Sequence, residues 1–176
     1  MTAGRLLPAL VACLALLAAA CGGDGVSLAT YENQQAAYRV KYPEGWIIDE
    51  NEPLQVVIQP EERNGQMLVG VYELDEALSL DQLADLALAN TRDRMRSVEE
   101  LGRETASLPG GQEARVLDLR YDNPADTGGP LRSRLLLTVV GRRVYQVEVA
   151  LLDAEFDESF ARGADEIVRS LTVEGP

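Results

Sequence analysis

The stretch YRVKYPEGW, which begins at Tyr38, alternates between residues that favour burial and residues that favour water. Tyr38, Val40 and Tyr42 fall on one side of an extended chain, while Arg39 and Lys41 fall on the other. A period of two is typical of a β-strand with one buried face. The pattern therefore predicts a half-buried strand with an aromatic and apolar inner face.

A tight turn is predicted directly after this strand. Pro43 fixes its own φ angle and Gly45 tolerates a left-handed backbone, so the two residues favour a reversal of the chain. Trp46, the only Trp of the chain, is then expected to return to the buried side. In an alternative interpretation, Trp46 joins Lys41 and Glu44 in a ligand pocket, but the pattern favours a structural role.

Apolar runs bounded by turn residues predict most of the remaining strands. They are expected at 54–59, 66–74, 102–108 and 113–121. The longest apolar segment, at 131–152, predicts a β-hairpin, in which Gly141 and Arg142 provide a two-residue turn that begins with Gly. Short turns between consecutive strands indicate a mainly antiparallel sheet.

Two segments carry apolar residues at helical spacing. Ser79 and Gln82 have capping-box spacing at the start of a helix predicted over 79–95, and a second helix is predicted over 157–170. The buried face of the first helix is expected to contain Leu80, Ala84, Ala87, Thr91 and Met95, with Leu83 and Leu88 at its margins. The order of elements predicts an α/β (α+β) fold, an α/β/α sandwich with a mainly antiparallel central sheet flanked by two main helices.

The first residues carry the features of a bacterial secretory leader. Arg5 precedes an apolar run that is too short to span a bilayer. The sequence LAAAC then resembles the lipobox of bacterial lipoproteins, in which the Cys thiol receives a diacylglycerol, although Ala18 stands where Leu is usual. An ordinary leader with a chance Cys, or an uncleaved anchor, is the alternative. These features predict a lipoprotein signal peptide at 1–20, a lipid (diacylglycerol and palmitate) on Cys21, a flexible tether at 21–30 and one domain at 31–176.

Composition excludes several classes of function. Arg5 is the one charged residue among the first 20, so the rest of the chain has 15 basic and 29 acidic residues and a formal net charge of −14. This charge disfavours nucleic acid and flat adsorption on an anionic membrane. The chain has no His, and it keeps no free thiol once Cys13 is removed and Cys21 is lipidated. Ser-His-Asp and Cys-His nucleophiles, metal centres ligated by His or Cys, and disulfides are therefore excluded, and no catalytic residue, metal or cofactor is predicted.

The order of the predicted elements, with YRVKYPEGW near the start and IVRSLTV near the end, resembles the PsbP-like family. This family is named after an extrinsic photosystem subunit, and the same sandwich is shared by a Ran-binding nuclear transport factor and by many bacterial lipoproteins. The resemblance covers about residues 31–174. It implies that Tyr42, Pro43, Gly45 and Trp46 serve the architecture, and it brings no catalytic residues, because none is known to be shared across the family.

Two charged segments are candidate sites. The acids of DAEFDE, which begins at Asp153, suit a hard cation, but the Gly and Glu expected at the sixth and twelfth positions of a calcium loop are missing. They are expected instead to face the N-terminus of the last helix. The second candidate is an interaction surface that combines a predicted loop at 122–130 with Arg residues of the hairpin: Asp122, Asp126, Arg132, Arg134, Arg142 and Arg143. Alternatively, these Arg residues form only the solvent-exposed face of the hairpin.

These features together predict an extracytoplasmic lipoprotein that acts as a non-enzymatic binding or scaffold module in the bacterial cell envelope. Its expected partners are the membrane, through the lipid on Cys21, and an envelope protein; nucleic acid is not expected. Two alternatives stay open. An envelope carrier of a small hydrophobic ligand requires a cavity between sheet and helices, and a carboxylate-dependent hydrolase requires two acids that face each other across a cleft.

Overall fold

The computed structural model describes residues 27–52, 54–61, 65–124 and 128–174. This part of the chain contains ten strands, two α-helices and one 3₁₀ turn. The strands are β1 (Leu28–Asn33), β2 (Tyr38–Pro43), β3 (Ile47–Glu52), β4 (Gln55–Gln59), β5 (Gly65–Glu73), β6 (Arg96–Ser107), β7 (Glu113–Asp122), β8 (Leu131–Val140), β9 (Arg143–Leu152) and β10 (Thr172–Val173). The helices are α1 (Leu80–Arg94) and α2 (Glu158–Arg169), and the 3₁₀ turn is Asp153–Glu155.

Seven strands form the central sheet, in the order β3-β4-β5-β9-β8-β7-β6, and every neighbouring pair is antiparallel. The remaining three strands form a small antiparallel sheet in the order β1-β2-β10. The predicted hairpin is confirmed: Val140 pairs with Arg143, and Gly141 between them has a φ of +64°. The predicted sandwich with a mainly antiparallel sheet is also confirmed, whereas the separate small sheet was not predicted.

Each face of the central sheet has its own hydrophobic core. The α2 face is covered by α2 and the small sheet, and its buried residues include Met67, Val116, Leu136, Val147 and Ile167. The α1 face is covered by α1, and its buried residues include Leu83, Leu88, Leu117, Leu135 and Leu137. All described buried residues of both cores lie between positions 31 and 173. The domain therefore contains its own cores.

The opening stretch forms β2 and the turn after it. Tyr38 and Val40 are buried, while Arg39 and Lys41 are exposed, as the alternation predicts. The turn that follows contains Gly45 with a φ of +88°. Trp46 is only half-buried, and it packs against the margin of the core on the α2 face.

Both helices begin where their capping residues predict. Ser79 caps α1 and forms a reciprocal capping box with Gln82, while the Asp157 carboxylate caps α2 by accepting from the Phe160 N–H at 2.8 Å. The predicted buried face of α1 was centred on the wrong residues. The helix points Leu83 and Leu88 into the core and leaves one edge of the predicted face only partly buried, because α1 lies toward one side of the sheet.

Three strands differ from the sequence prediction: two begin earlier than expected and one was not predicted. β1 begins at Leu28, inside the segment 21–30 predicted as a tether, because residues 28–30 pair with β2. β3 was not predicted, since its polar sequence and exposed Ile47 show little of a buried face. β6 begins at Arg96, six residues before the predicted strand; it is an edge strand whose mostly exposed residues carry little hydrophobic pattern.

Candidate functional site

Helix α1 covers only one half of its face of the central sheet. It packs on β6, β7 and β8, and beside it β4, β5 and β9 stay open to solvent. A groove of about 470 Å³ lies between the helix and these strands. This volume falls within the range of small-molecule sites, which is roughly 300 to 1,000 Å³.

The wall of the groove on the helix side has a large apolar part. It contains Leu83, Leu86 and Ala87 from α1 and Met95 just after the helix, and Leu135 continues the apolar surface onto β8. The last turns of α1 add the polar side chains of Asn90, Thr91 and Arg94. Leu86 is 46% exposed, which is high for a large apolar side chain on the inner side of a helix. Since burial of such surface contributes roughly 25 cal/mol per Å², this wall favours an apolar ligand group.

The floor of the groove, on the sheet side, carries neutral hydrogen-bonding groups around a gap. Gln55 on β4 and Gln146 on β9 are the cross-strand partners of Gly70 on β5, and Gln66 lies further along β5. A Cβ at Gly70 would have one heavy atom within 4 Å, a Leu68 side-chain carbon at 4.0 Å. The missing side chain therefore leaves open space at the centre of the floor.

A single carboxylate completes the floor. Glu148 on β9 is largely buried and lines the groove, and its Oε1 accepts a hydrogen bond from the buried Tyr121 hydroxyl at 3.1 Å. Burial raises the pKa of Glu148, and the Ser133 and Tyr121 hydroxyls partly oppose the rise. Within the described residues, no Lys or Arg forms an ion pair with Glu148. The groove thus combines an apolar wall with a polar floor that contains one acid without a cationic partner.

On the opposite face of the same sheet, partly buried acids form ion pairs with Arg residues. Arg134, whose side chain is 15% exposed, donates to Asp118 at 2.9 Å, and it pairs with Asp165 of α2 at 2.7 Å and with Glu104 of β6. Arg169 adds contacts of 2.6 Å to both Asp165 and Glu104. This network of five residues joins α2 to three strands of the sheet.

Comparison with solved structures places this architecture among known folds. Cyanobacterial PsbP from Synechocystis sp. PCC 6803 is 20% identical, with a TM-score of 0.62 over 88% of this chain and 97% of that chain. The Ran-binding protein Mog1p of Saccharomyces cerevisiae is 13% identical, with a TM-score of 0.62 over 86% and 97%. The chain has the PsbP-like fold.

A third structure with the PsbP-like fold comes from Mycobacterium tuberculosis. LpqN, which is involved in cell envelope biogenesis of Mycobacterium tuberculosis, is 18% identical, with a TM-score of 0.57 over 88% of both chains. No protein-family model and no curated protein matches the sequence. The resemblance read from YRVKYPEGW is therefore confirmed at the level of the fold.

Within this PsbP-like fold, the Arg residues at the start of the predicted hairpin are engaged inside the domain. The Arg132 guanidinium lies 4.8 Å from the centre of the Phe156 ring, and Arg134 belongs to the network described above. Asp122 is the last residue of β7, and it lies opposite Arg96 of β6 in the strand register. These residues contribute mainly to the α2 face and its edge.

The two Arg residues at the turn of the hairpin lie at its other end. Arg142 donates to the Leu74 carbonyl at 2.8 Å and the Asp75 carbonyl at 3.2 Å, and Arg143 lies 3.6 Å from Glu73. The intervening part of the strand separates this end from Arg134 by roughly 20 Å. The structure therefore does not bring the four Arg residues of the predicted interaction surface together, because the hairpin is extended and they lie near its opposite ends. Asp126 and Cys21 lie outside the described residues.

The acids of DAEFDE lie around the start of α2. Asp153 pairs with Arg120 at 2.9 Å, and Asp157 caps the helix. Nowhere in the described ranges are three or more Asp or Glu residues grouped so that they can hold a metal ion. No described helix is both long and apolar enough to cross a membrane.

Sequence reasoning missed the groove because its residues come from strands and a helix that are distant in the chain. Two signals were present. Gly70 interrupts the apolar strand QMLVGVYEL, where a missing side chain marks open space or a close approach. Gln146 and Glu148 alternate with Val147 and Val149 on β9, a pattern that also fits a face in open solvent.

Proposed function

We propose that this protein is an extracytoplasmic envelope protein, anchored to the bacterial membrane by a lipid on Cys21, that binds a small amphipathic ligand without catalysis. The observation that carries the proposal is the groove of about 470 Å³ between α1 and the central sheet. The groove favours a ligand carrier, one of the alternatives drawn from the sequence, over a protein scaffold.

The chemistry of the groove supports binding rather than hydrolysis. Glycoside hydrolysis generally uses two carboxyl groups that flank the scissile bond. In the described part of the chain, the groove contains one carboxylate, Glu148, between amides, hydroxyls and apolar side chains. Its wall and floor suit a ligand that has one apolar side and one hydrogen-bonding side.

The proposed anchor would keep this groove near the membrane. The first described strand, β1, begins at Leu28, and seven residues from Cys21 span at most about 25 Å. An envelope location is also supported by LpqN, which shares the fold and is involved in cell envelope biogenesis. A binding domain on so short a tether has access to ligands in or near the membrane surface.

The anchor is tested by labelling cells with radioactive palmitate and separating membranes from the soluble fraction. We expect label and membrane retention for the native chain, and loss of both for Cys21→Ser. Equal labelling or equal membrane retention of the two proteins would overturn the proposed anchor.

Ligand binding is tested by purifying the native protein and identifying bound small molecules by mass spectrometry after solvent extraction. Gly70→Phe fills the open centre of the floor, whereas Leu101→Phe adds a ring at a position on β6 that is 47% exposed and outside the groove. We expect a small molecule to be enriched with the native protein and with Leu101→Phe, and depleted from Gly70→Phe. An identical set of molecules in all three samples would contradict binding in the groove.

A second candidate function, docking of an envelope protein partner, is favoured by a separate surface. β3 is an edge strand of the central sheet, and apolar side chains on and beside it are exposed: Ile47 to 55%, Ile48 to 37% and Leu54 to 40%. Crosslinking in cells would test this surface. A partner that is captured by the native chain and lost from Ile47→Asp supports docking there; equal capture by both excludes this edge.

A further inference from the structure

The position of Glu148 indicates the charge of the ligand group that faces it. Its side chain is partly buried, and it stays within reach of a molecule in the groove. The Tyr121 hydroxyl occupies one position on this carboxylate, through the 3.1 Å hydrogen bond. Removing a charged group from water without a counter-ion is costly, so a cation brought by the ligand would relieve the cost.

The rest of the molecule shows that this arrangement is particular to the groove. On the α2 face, the partly buried Asp118 and Asp165 both pair with Arg134, and Asp153 pairs with Arg120. On the α1 side, Arg103 likewise pairs with Asp85 and Glu100. Arg thus lies beside acids on both faces, whereas Glu148 on the floor of the groove has no described cationic partner.

Three other titratable groups line the groove. They are Tyr72 from β5, Tyr121 from β7 and Arg94 from the last turn of α1. Arg94 is exposed to solvent, which screens its charge. The three Gln side chains of the floor are neutral. Among the described residues, Glu148 is therefore the one negative charge that lines the groove.

We propose that the ligand is a cationic amphiphile, whose protonated amine pairs with Glu148 while its apolar chain lies against the α1 wall. This inference rests on the proposed binding function and specifies the class of ligand. Glu148 acts as the residue that selects the ammonium group. Leu86, Ala87 and Met95 contact the apolar part.

The test compares two probes of equal chain length, octylamine and 1-octanol, on the isotopically labelled domain of residues 22–176, which contains both cores. Binding is followed by NMR through the backbone amide signals of Gly70, Leu86 and Glu148. We expect octylamine to bind about tenfold more tightly than octanol, because charge-assisted hydrogen bonds are stronger than neutral ones. Glu148→Gln should remove this preference and leave octanol binding within about twofold.

Glu158→Gln is the matched control. Glu158 is exposed on α2, at the opposite face of the sheet, so its loss should not change the preference for the amine. If octanol and octylamine bind the native groove equally, the amine inference fails and the binding function stands for a neutral ligand. Failure of both probes to shift the groove signals would overturn the inference and the proposed function together. The comparison of probes on the native domain is decisive even if a variant folds poorly.

Discussion

The acids of the network on the α2 face and the acid of the groove beside α1 have different partners. On the α2 face, Arg134 lies between Asp118, Asp165 and Glu104, and the charges compensate one another. On the α1 face, Glu148 has hydroxyl groups but no described cationic partner. Compensation serves stability, whereas an uncompensated acid beside an open groove lowers stability and suits binding. Local features that disagree with the rest of a fold are expected mainly at functional sites.

Packing shows the same contrast. Leu136 on the α2 face is enclosed by the core, while its neighbour Leu135 points to the α1 face and borders the groove. On β5, a Cβ at Gly65 would lie 2.9 Å from the Ala150 carbonyl oxygen, whereas the nearest heavy atom to one at Gly70 would be a Leu68 side-chain carbon at 4.0 Å. Leu136 and Gly65 are thus closely enclosed, whereas Leu135 and Gly70 border the groove.

The largest expected effect comes from truncating the two neighbouring leucines of β8. Leu136→Ala should lower the free energy of unfolding by about 4 kcal/mol, because the cavity it leaves is closed. Leu135→Ala should cost only about 2 kcal/mol, since the space it leaves joins the groove. Urea denaturation of both variants measures the difference. Equal losses would mean that the two faces are packed alike.

The next largest effect concerns the charge network. Arg134→Met should lower the free energy of unfolding by about 2.5 kcal/mol, because Asp118 and Asp165 lose their shared partner in a partly buried setting. Arg143→Met removes an exposed pair with Glu73 and should change stability by less than about 0.5 kcal/mol. Denaturant titration in low and high salt checks both values. A loss below that of the control would show that the network does not stabilise the α2 face.

A smaller effect is expected when a methyl group is added to each of two glycines on β5. Gly65→Ala should cost about 1.5 kcal/mol, because the new carbon meets Leu151 and the backbone of Ala150. Gly70→Ala should change stability by no more than about 0.5 kcal/mol in either direction. Thermal and urea unfolding distinguish the pair. A comparable penalty at Gly70 would contradict the open space assigned to the groove.

The smallest effect is the pH dependence from Glu148. Burial raises its pKa above the ordinary 4.5, so its contribution to stability is present below that value and is lost as pH rises through the raised pKa. Glu148→Gln lacks this loss. We expect the variant to gain stability relative to the native chain as the pH increases from 4 to 8, with the smallest difference at the acid end. A constant difference across this range would exclude a raised pKa.

Much of the fold follows from local patterns, but the site does not. The capping box of Ser79 and Gln82 and the turn at Gly141 are encoded by neighbouring residues, and the structure contains both. The course of α1 across the sheet depends on tertiary packing, so its apolar pattern did not show that Leu86 borders an open groove. Residues on β9 that alternate with buried Val appear solvent-exposed in the sequence, whether or not a helix lies nearby.

The Arg residues of the hairpin show a second reason why the contacts of a side chain are harder to predict from the sequence than the fold. Arg134 looks like a free surface cation in the sequence, yet its partners lie 16, 30 and 31 residues away along the chain. Pairing at that distance depends on strand register and on where α2 packs. A single sequence contains no direct record of either.

The central claim is that the groove beside α1 is a binding site. It is tested most directly by titrating N-phenyl-1-naphthylamine, an uncharged apolar fluorophore, into the domain of residues 22–176. We predict a saturable rise in fluorescence for the native domain and for Leu101→Phe, and its loss in a folded Gly70→Phe variant, which fills the floor of the groove. Absence of saturable binding to the native domain, or unchanged binding to Gly70→Phe, would contradict the account.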